Sequence, residues 1–498
     1  MDFPTIPSGL LVPLFYAEVD ASAAMPSGST QVQRALLIGQ ALPGAAAELA
    51  TLSLASSAAV VQASCGVNSM LDHMYQRWRS RVPLGEVWMC PIEVDPEGDR
   101  AQLAITITGT AVAAGALVLY IAGRRVSVVV ASGDSASTIA AAVGAAINAA
   151  AGLPVTATVS AAVVTVTCRW IGESGNDIQV FANYRGLSAG ESTPAGVGLS
   201  VDAGHLQGGS GAVDMAAVIA ALGDEPFDFV VMPYSDDADA MAALNTEMAS
   251  RWGYDRQIYG HAYTAKRGVV SDLLSYVSGY NSEHLTCWAF ETDFAGPAYE
   301  LAAAYAAANA SGILADPGRS TQTIALTGVL APRVGQRFTL SDRQSLLSGG
   351  LATSFVAASV VCVERAVTTY RLNTLGVPDQ SFQDSETLHL TAAVLRRLKS
   401  IITSKYPRHK LADDGTRFGA GVAVVTPAVI RGELLAAYRA MELEGWVENY
   451  DTFAEYLVVE RDATDVNRIN VLFPPDYVNN LRVLALLNQF RLQYAQAA

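Results

Sequence analysis

Lysine is scarce in this chain, which has only four of them. Lys and Arg together number 32 against 47 Asp and Glu, so the formal net charge is −15 at pH 7. Nucleic acids and anionic membranes are bound through basic surfaces, and this composition therefore argues against both partners. A solvent-facing surface usually carries more charge of both signs than the 16% found here. Together with the 51% hydrophobic content, this indicates that much of the surface is covered by something else, such as other copies of the chain.

Signals for export and membrane insertion are also missing from the sequence. The first basic residue is Arg34, so we expect no signal peptide. The apolar stretch 111–123 is too short to cross a bilayer, and 135–153 is dominated by alanine and reads as a packed helix. The cysteines are odd in number, scattered and without a CxxC pair, which predicts buried free thiols in a reducing cytoplasm: Cys65, Cys90, Cys168, Cys287 and Cys362.

Motifs for catalysis are lacking as well. There is no phosphate loop, no GxSxG and no HExxH, and no two histidines have the helical spacing of a zinc site. His261 falls in a predicted strand, where packing is the favoured interpretation. The acidic run from Asp236 to Asp239 follows a predicted strand end, where ligands bind in α/β sheets. Capping of the next helix explains it better, because no His or Cys accompanies it. We therefore predict no catalytic residue, cofactor or metal ligand.

The pattern of strands and helices changes along the chain. Residues 34–95 read as mixed α/β, and 96–208 as Val-, Ile- and Thr-rich strands with one helix, which is typical of an inserted β-rich domain. Residues 210–315 alternate as α-β-α-β-α-β-α, which predicts a mostly parallel sheet. Residues 331–477 form a second α+β block, in which 356–370 resembles one long strand.

Both ends of the chain read as apolar arms. Residues 1–21 contain three prolines and extended apolar spacing, and the tail after Pro475 is apolar and could be a strand or a short helix. An exposed strand needs a sheet edge, and adding it to a neighbour's sheet can build rings or helical polymers. The candidate contact residues are Phe3, Ile6, Leu10, Val12 and Phe15 in the first arm and Leu481, Val483, Leu486 and Phe490 in the second.

Longer motifs follow one another along nearly the whole chain. Among them are FPTIPSGLLVPLFYAEVDAS (3–22), QRALLIGQ (33–40), GDEPFDFVVMPYSD (223–236), VERAVTTYRLNTLG (363–376) and VERDATDVNRINVLFPPDYVNNLRV (459–483). By their number and collinear order the chain resembles the tail sheath proteins of contractile-tailed bacteriophages, in particular the Mu-like branch. No single motif is diagnostic.

The resemblance implies a structural subunit with no catalytic role. Such subunits stack as hexameric rings around a tail tube and contract to drive that tube through the host envelope for genome ejection. The implied partners are other copies, the tail tube protein, and baseplate and tail terminator proteins, with no direct nucleic acid contact and no membrane insertion. The implied location is the virion, after assembly in the host bacterial cytoplasm.

The resemblance also implies a multi-domain fold that mixes α+β and α/β domains. An inner α+β domain is built from both chain ends, next to a β-rich insertion, an α/β domain of subtilisin-like fold without its catalytic motif, and extended terminal arms. The expected divisions are an N-terminal arm (1–21), the first segment of the inner domain (22–95), a β-rich outer insertion (96–208), an α/β middle domain (209–330), the second segment of the inner domain (331–477) and a C-terminal arm (478–498).

Three alternatives stay open from the sequence. The same sheath could belong to a headless injection particle. An α/β hydrolase-like enzyme could use the strand end at 223–236, or residues 96–208 could form a carbohydrate- or cell-binding module.

Overall fold

A computed structural model describes residues 33–419 and 421–491 of the chain. Its strands are β1 (Arg34–Gly39), β2 (Ser53–Leu54), β3 (Glu86–Pro91), β4 (Gln102–Gly109), β5 (Gly115–Ile121), β6 (Arg124–Val130), β7 (Val155–Ser160), β8 (Val163–Cys168), β9 (Val180–Ala182), β10 (Val197–Val201), β11 (Phe229–Val231), β12 (His261–Arg267), β13 (Leu285–Phe290), β14 (Thr353–Ala357), β15 (Val360–Arg365), β16 (Lys410–Leu411), β17 (Val424–Val425), β18 (Val458–Arg461) and β19 (Ile469–Leu472). Its α-helices are α1 (Ala58–Cys65), α2 (Met70–Arg81), α3 (Ala136–Ala149), α4 (Met215–Leu222), α5 (Ala238–Arg251), α6 (Val270–Val277), α7 (Ala298–Ile313), α8 (Leu340–Ser348), α9 (Ser385–Lys405), α10 (Pro427–Leu443) and α11 (Tyr450–Tyr456).

A six-stranded sheet lies at the centre of residues 34–369. Its strand order is β13-β12-β11-β1-β3-β2, and every neighbouring pair is parallel except β2 with β3. Parallel sheets are covered on both faces, which is why β1 and β11 read as continuous apolar runs. Helix α7 is alanine-rich and buried throughout its middle, so it can lie close to α2 and β12. The parallel sheet predicted for 210–315 is confirmed.

The same sheet also contains the strands between residues 34 and 91. Ala35 in β1 lies opposite Phe229 in β11, and the Arg34 amide donates to an Asp228 carboxylate oxygen at 2.9 Å. The sequence grouped 22–95 with 331–477, and that grouping stays a prediction. A pairing between strands nearly 200 residues apart leaves no local pattern to find.

Residues 353–365 form a hairpin and not the single long strand that the sequence suggested for 356–370. Its turn is made by Ala358 and Ser359, whose φ angles of 46° and 67° are left-handed. The segment before it lies beside β13, since the Ala352 amide donates to the Cys287 carbonyl at 2.9 Å. Residues 340–365 therefore pack on the central sheet.

The β-rich region between residues 102 and 201 has two antiparallel sheets, ordered β10-β4-β8-β7 and β6-β5-β9, with α3 packed on them. The chain enters and leaves this region side by side, because Val94 bridges Val213 and the Asp95 amide donates to the Ala212 carbonyl at 3.0 Å. This arrangement is what an insertion requires. The segment boundaries given above stay predictions.

A separate hydrophobic core lies towards the carboxyl end of the chain. It includes Tyr438 of α10 stacked on Phe453 of α11, with ring centroids 3.7 Å apart, and the side chains of β18 and β19. Helix α9 joins this core to the central sheet: His389 near its start packs on Phe229, whereas Val394 one turn later belongs to the carboxyl-terminal core. The described residues thus form a mixed α/β molecule with more than one core.

Candidate functional site

The acidic run at the end of β11 caps a helix. A carboxylate oxygen of Asp237 accepts from the Ala240 amide at 2.9 Å at the start of α5, and Asp236 pairs with Lys266. The capping interpretation is therefore confirmed. In the portion of the chain that the structure describes, no three His, Cys, Asp or Glu side chains are grouped to hold a metal ion, and no helix is long and apolar enough to cross a membrane.

Several histidines are packed in the interior. His261 is buried with its Nε2 2.8 Å from Thr286 Oγ1, so the packing predicted for it is confirmed. Burial lowers the pKa of His261 well below its usual value, and the nearby His389 lowers it further. The five cysteines are buried free thiols, as the sequence predicts.

The candidate contact residues of the carboxyl-terminal arm are exposed. Leu481, Val483, Leu486 and Phe490 have between 75% and 84% of their surface open to solvent. Leu484 and Leu487, which the sequence analysis did not select, are equally exposed, and residues 478–491 form no helix or strand. The remaining candidates lie outside the described residues: Phe3, Ile6, Leu10, Val12 and Phe15.

The root of this arm crosses from one core to the other. At its start Tyr477 bridges Val447, and the Val478 amide donates to the Trp446 carbonyl at 3.2 Å. At its end the side chain of Asn480 accepts from the Ser320 amide at 2.9 Å. We call residues 476–482 the arm root.

The last residue of the arm root is fixed by charge. Arg482 Nη2 lies 3.3 Å from Asp384 Oδ1 and 3.4 Å from Glu386 Oε1, and Nη1 donates to Ser320 Oγ. The sequence analysis missed this contact. Its only sequence signal is that Arg482 is the single cation between Arg468 and Arg491 in an apolar stretch.

The hairpin of β18 and β19 has edges to which no other described strand pairs. The Asp462 amide donates to the Arg468 carbonyl at 2.9 Å, which fixes the alternation of inward and outward amides along the ladder. By that alternation the N–H groups of Val459 and Val471 point outward. Val471 and Leu472 are also exposed apolar side chains on this hairpin.

The chain matches known families over most of its length. Residues 208–369 match the central domain of phage tail sheath proteins, and residues 377–491 match the phage tail sheath C-terminal domain. The chain is 35% identical over 493 residues to the Mu-like prophage FluMu tail sheath protein of Haemophilus influenzae, with 99% of this chain and all of that protein covered. This chain belongs to the phage tail sheath family.

The fold of the sheath protein is shared with a solved structure. The sheath tail protein of Desulfitobacterium hafniense matches with a TM-score of 0.50 at 12% identity and covers 95% of this chain and 97% of its own. A sheath tail protein of Listeria innocua has a TM-score of 0.49 at 12% identity, over 90% of this chain and 92% of its own.

Membership of this family settles two of the sequence predictions. The resemblance to Mu-like sheath proteins is confirmed, and the sheath protein is a structural component of the phage tail and so of the virion. Its relatives are structural proteins, so it is not an enzyme and the hydrolase-like alternative is dropped.

Proposed function

We propose that the sheath protein polymerises by exchanging strands between copies. The carboxyl-terminal arm of one subunit, from Val483 onward, and the amino-terminal arm (1–21) would add to the β18–β19 hairpin of neighbouring subunits. The observation that supports this most directly is the run of exposed apolar side chains at 481–490 in a chain that also has open, partly apolar hairpin edges. Strand addition supplies main-chain hydrogen bonds to both partners.

The energetics of the arm favour a cooperative polymer over a simple pair. Burying an exposed Val, Leu or Phe side chain gains about 2 kcal/mol, and five such side chains lie between residues 483 and 490. Ordering the backbone costs about 1 to 2 kcal/mol per residue. The gain from apolar burial and the cost of ordering the backbone nearly balance, so one arm alone binds weakly. Two arms and body contacts acting together make addition to a growing ring favourable.

The polymer that we propose is a stack of hexameric rings around the tail tube. It would assemble in the host cytoplasm, which suits five buried free thiols. The baseplate would bound it at one end and the tail terminator at the other. Donating and accepting surfaces differ, so the contact is heterologous and suits rings and helices.

Contraction would then repack the folded bodies while the arms keep the copies connected. An extended sheath held by a kinetic barrier releases energy when rigid bodies move to better packed positions. Burying a few hundred Å² of apolar surface per subunit releases several kcal/mol. Summed over a long tube, this would drive the tail tube through the host envelope for genome ejection.

Deletion of each arm tests the proposal. Variants lacking residues 483–498 or 1–20 should be folded monomers by circular dichroism and sedimentation, and should form no hollow striated cylinders in negative-stain electron microscopy. The control is Leu187→Ser, which removes an equally exposed leucine outside the arms and should leave cylinders unchanged. Normal cylinders from both deletion variants would refute strand exchange.

A further inference from the structure

Arg482 is a mostly covered side chain in an exposed segment. It is 15% exposed, whereas Leu481 before it is 75% and Val483 after it 80% exposed. Residues 483–490 could reach roughly 27 Å from that point if extended. The contacts of Asn480 and Arg482 hold the arm root on the body, and the side chains of residues 483–490 beyond it are exposed.

The site that receives Arg482 needs a positive charge. Glu386 is buried, and its Oε1 accepts from both the amide and the hydroxyl of Thr321 at 3.0 Å. Asp384 already receives two hydrogen bonds from Arg365, at 2.7 and 2.8 Å. Without Arg482 this site would hold two carboxylates against one guanidinium, and an uncompensated buried charge is costly.

The contact also joins two regions of the molecule. Ser320 precedes the segment that leads to the β14–β15 hairpin, and Asp384 and Glu386 lie at the start of α9, which runs into the carboxyl-terminal core. Arginine is suited to this place because its rigid planar group spreads donors over three nitrogens that can face acceptors at different positions, whereas an ammonium group has its three donors on one flexible atom.

We propose that Arg482 is the anchor of the carboxyl-terminal arm: it fixes the arm root on its own subunit, so that only residues from Val483 onward are exchanged and they leave the body in one direction. The inference rests on the proposed strand exchange and adds the residue that positions the donor strand. A fixed root raises the effective concentration of the arm at the neighbouring hairpin and lowers the ordering cost of binding.

The test compares Arg482→Gln, Arg482→Lys and the control Arg185→Gln, which removes an exposed guanidinium in the β-rich region, away from the arm and the hairpin. In the monomer, hydrogen exchange of Arg482→Gln should become faster at residues 478–482 and at the Ser320 amide, with α10 unchanged. Its critical concentration for polymerisation, measured by sedimentation, should rise roughly tenfold. Arg482→Lys should lie between that variant and the wild type, and Arg185→Gln should match the wild type.

A mixing experiment separates anchoring from a merely structural role. Arg482→Gln keeps its hairpin, so it should still accept an arm and be incorporated into wild-type polymers, while donating poorly and stopping their growth. If Arg482→Gln polymerises like the wild type and its hydrogen exchange at the arm root is unchanged, the proposal that Arg482 anchors the arm is wrong. In that case, loss of cylinders on deleting 483–498 would still support strand exchange between copies. If the variants lacking 483–498 and 1–20 both form normal cylinders, the proposed function itself fails.

Discussion

At the scale of single residues, Glu300 ties three elements of the sheath protein together. From the start of α7 it accepts from Arg77 of α2 at 2.7 Å and from Arg124 of β6 at 2.6 Å. Burial alone would raise the pKa of Glu300, but the guanidinium groups of Arg124 and Arg77 outweigh it and hold the pKa at about 2. The β-rich region is thereby fastened to the central sheet by a buried ion cluster.

Replacing this carboxylate should destabilise the protein in a pH-dependent way. We expect Glu300→Gln to lower the free energy of unfolding by about 3 kcal/mol at pH 7, because two guanidinium groups lose their counter-charge. The carboxylate stabilises the fold above its unfolded pKa of about 4.3, and this contribution is lost as the pH falls towards the folded value. Urea unfolding should therefore show the difference shrinking between pH 5 and pH 2.

The exposed Glu225, which pairs with Arg34 at 3.3 Å, provides the control. Glu225→Gln should change stability by less than about 1 kcal/mol. A Glu300→Gln effect as small as that would show that the cluster contributes little.

His389 should make the protein sensitive to mild acid. Burial, and to a lesser extent Arg396, lowers its pKa to about 3. Between that value and the unfolded pKa of about 6.5 the unfolded chain binds the extra proton, so stability falls as the pH decreases, by about 1.4 kcal/mol per pH unit. In His389→Gln the amide can keep a hydrogen bond with the Tyr263 hydroxyl, which lies 3.0 Å from Nε2 in the wild type, but it does not titrate.

The slope of unfolding free energy against pH between 6 and 4 should therefore decrease by about 1.4 kcal/mol per unit in His389→Gln. Equal slopes for wild type and His389→Gln would contradict the prediction.

The sequence could indicate that His261 is packed, because it falls in a predicted strand. It could not indicate that His389 contacts Tyr263 beside it, because His389 belongs to a helix 126 residues further along the chain.

At the scale of elements, local chemistry is what the sequence predicts well. The start of α10 follows from Thr426 and Pro427: the Thr426 side chain accepts from the Val429 amide and proline occupies the first turn. The hairpin at 353–365 was missed for the opposite reason. Its turn residues, Ala358 and Ser359, adopt left-handed angles without the glycine or asparagine that usually marks such a turn.

A proline on the β18–β19 hairpin tests whether its edge accepts a strand. We expect Val471→Pro to block polymerisation, because it removes an outward N–H while leaving the hairpin's own hydrogen bonds in place. Val471→Thr keeps the N–H and should polymerise. The free energies of unfolding of the two variants should differ by less than about 1 kcal/mol, since the position is exposed.

A proline at the neighbouring Asn470 distinguishes loss of an outward N–H group on the edge from loss of a hydrogen bond within the hairpin. Its N–H points into the hairpin by the same alternation, so Asn470→Pro should lower thermal stability as well as assembly. Cylinders formed by Val471→Pro would show that the β19 edge is not the acceptor.

At the scale of the whole molecule, sheet order was the feature that the sequence could not provide. The alternation over 210–315 predicted parallel strands, but the placement of β1 between β11 and β3 depends on contacts across almost 200 residues. The arm candidates at 481–490 were selected from apolar content alone; they are exposed, and their role in contacts between subunits stays a prediction. Arg482 was not selected, because its partners Asp384 and Glu386 lie about a hundred residues earlier.

The net charge predicts how assembly depends on salt. Each copy carries −15, so approaching copies repel, whereas strand exchange depends on main-chain hydrogen bonds and apolar burial that salt does not weaken. Raising the ionic strength from about 0.01 M to 0.1 M shortens the screening length from about 30 Å to about 10 Å. The critical concentration should therefore fall several-fold over this range when followed by sedimentation, and sulfate should lower it further than chloride. An assembly held mainly by ion pairs between copies would show the opposite trend and dissolve as salt is added, so polymers that disappear at 0.1 M would contradict strand exchange as the main contact.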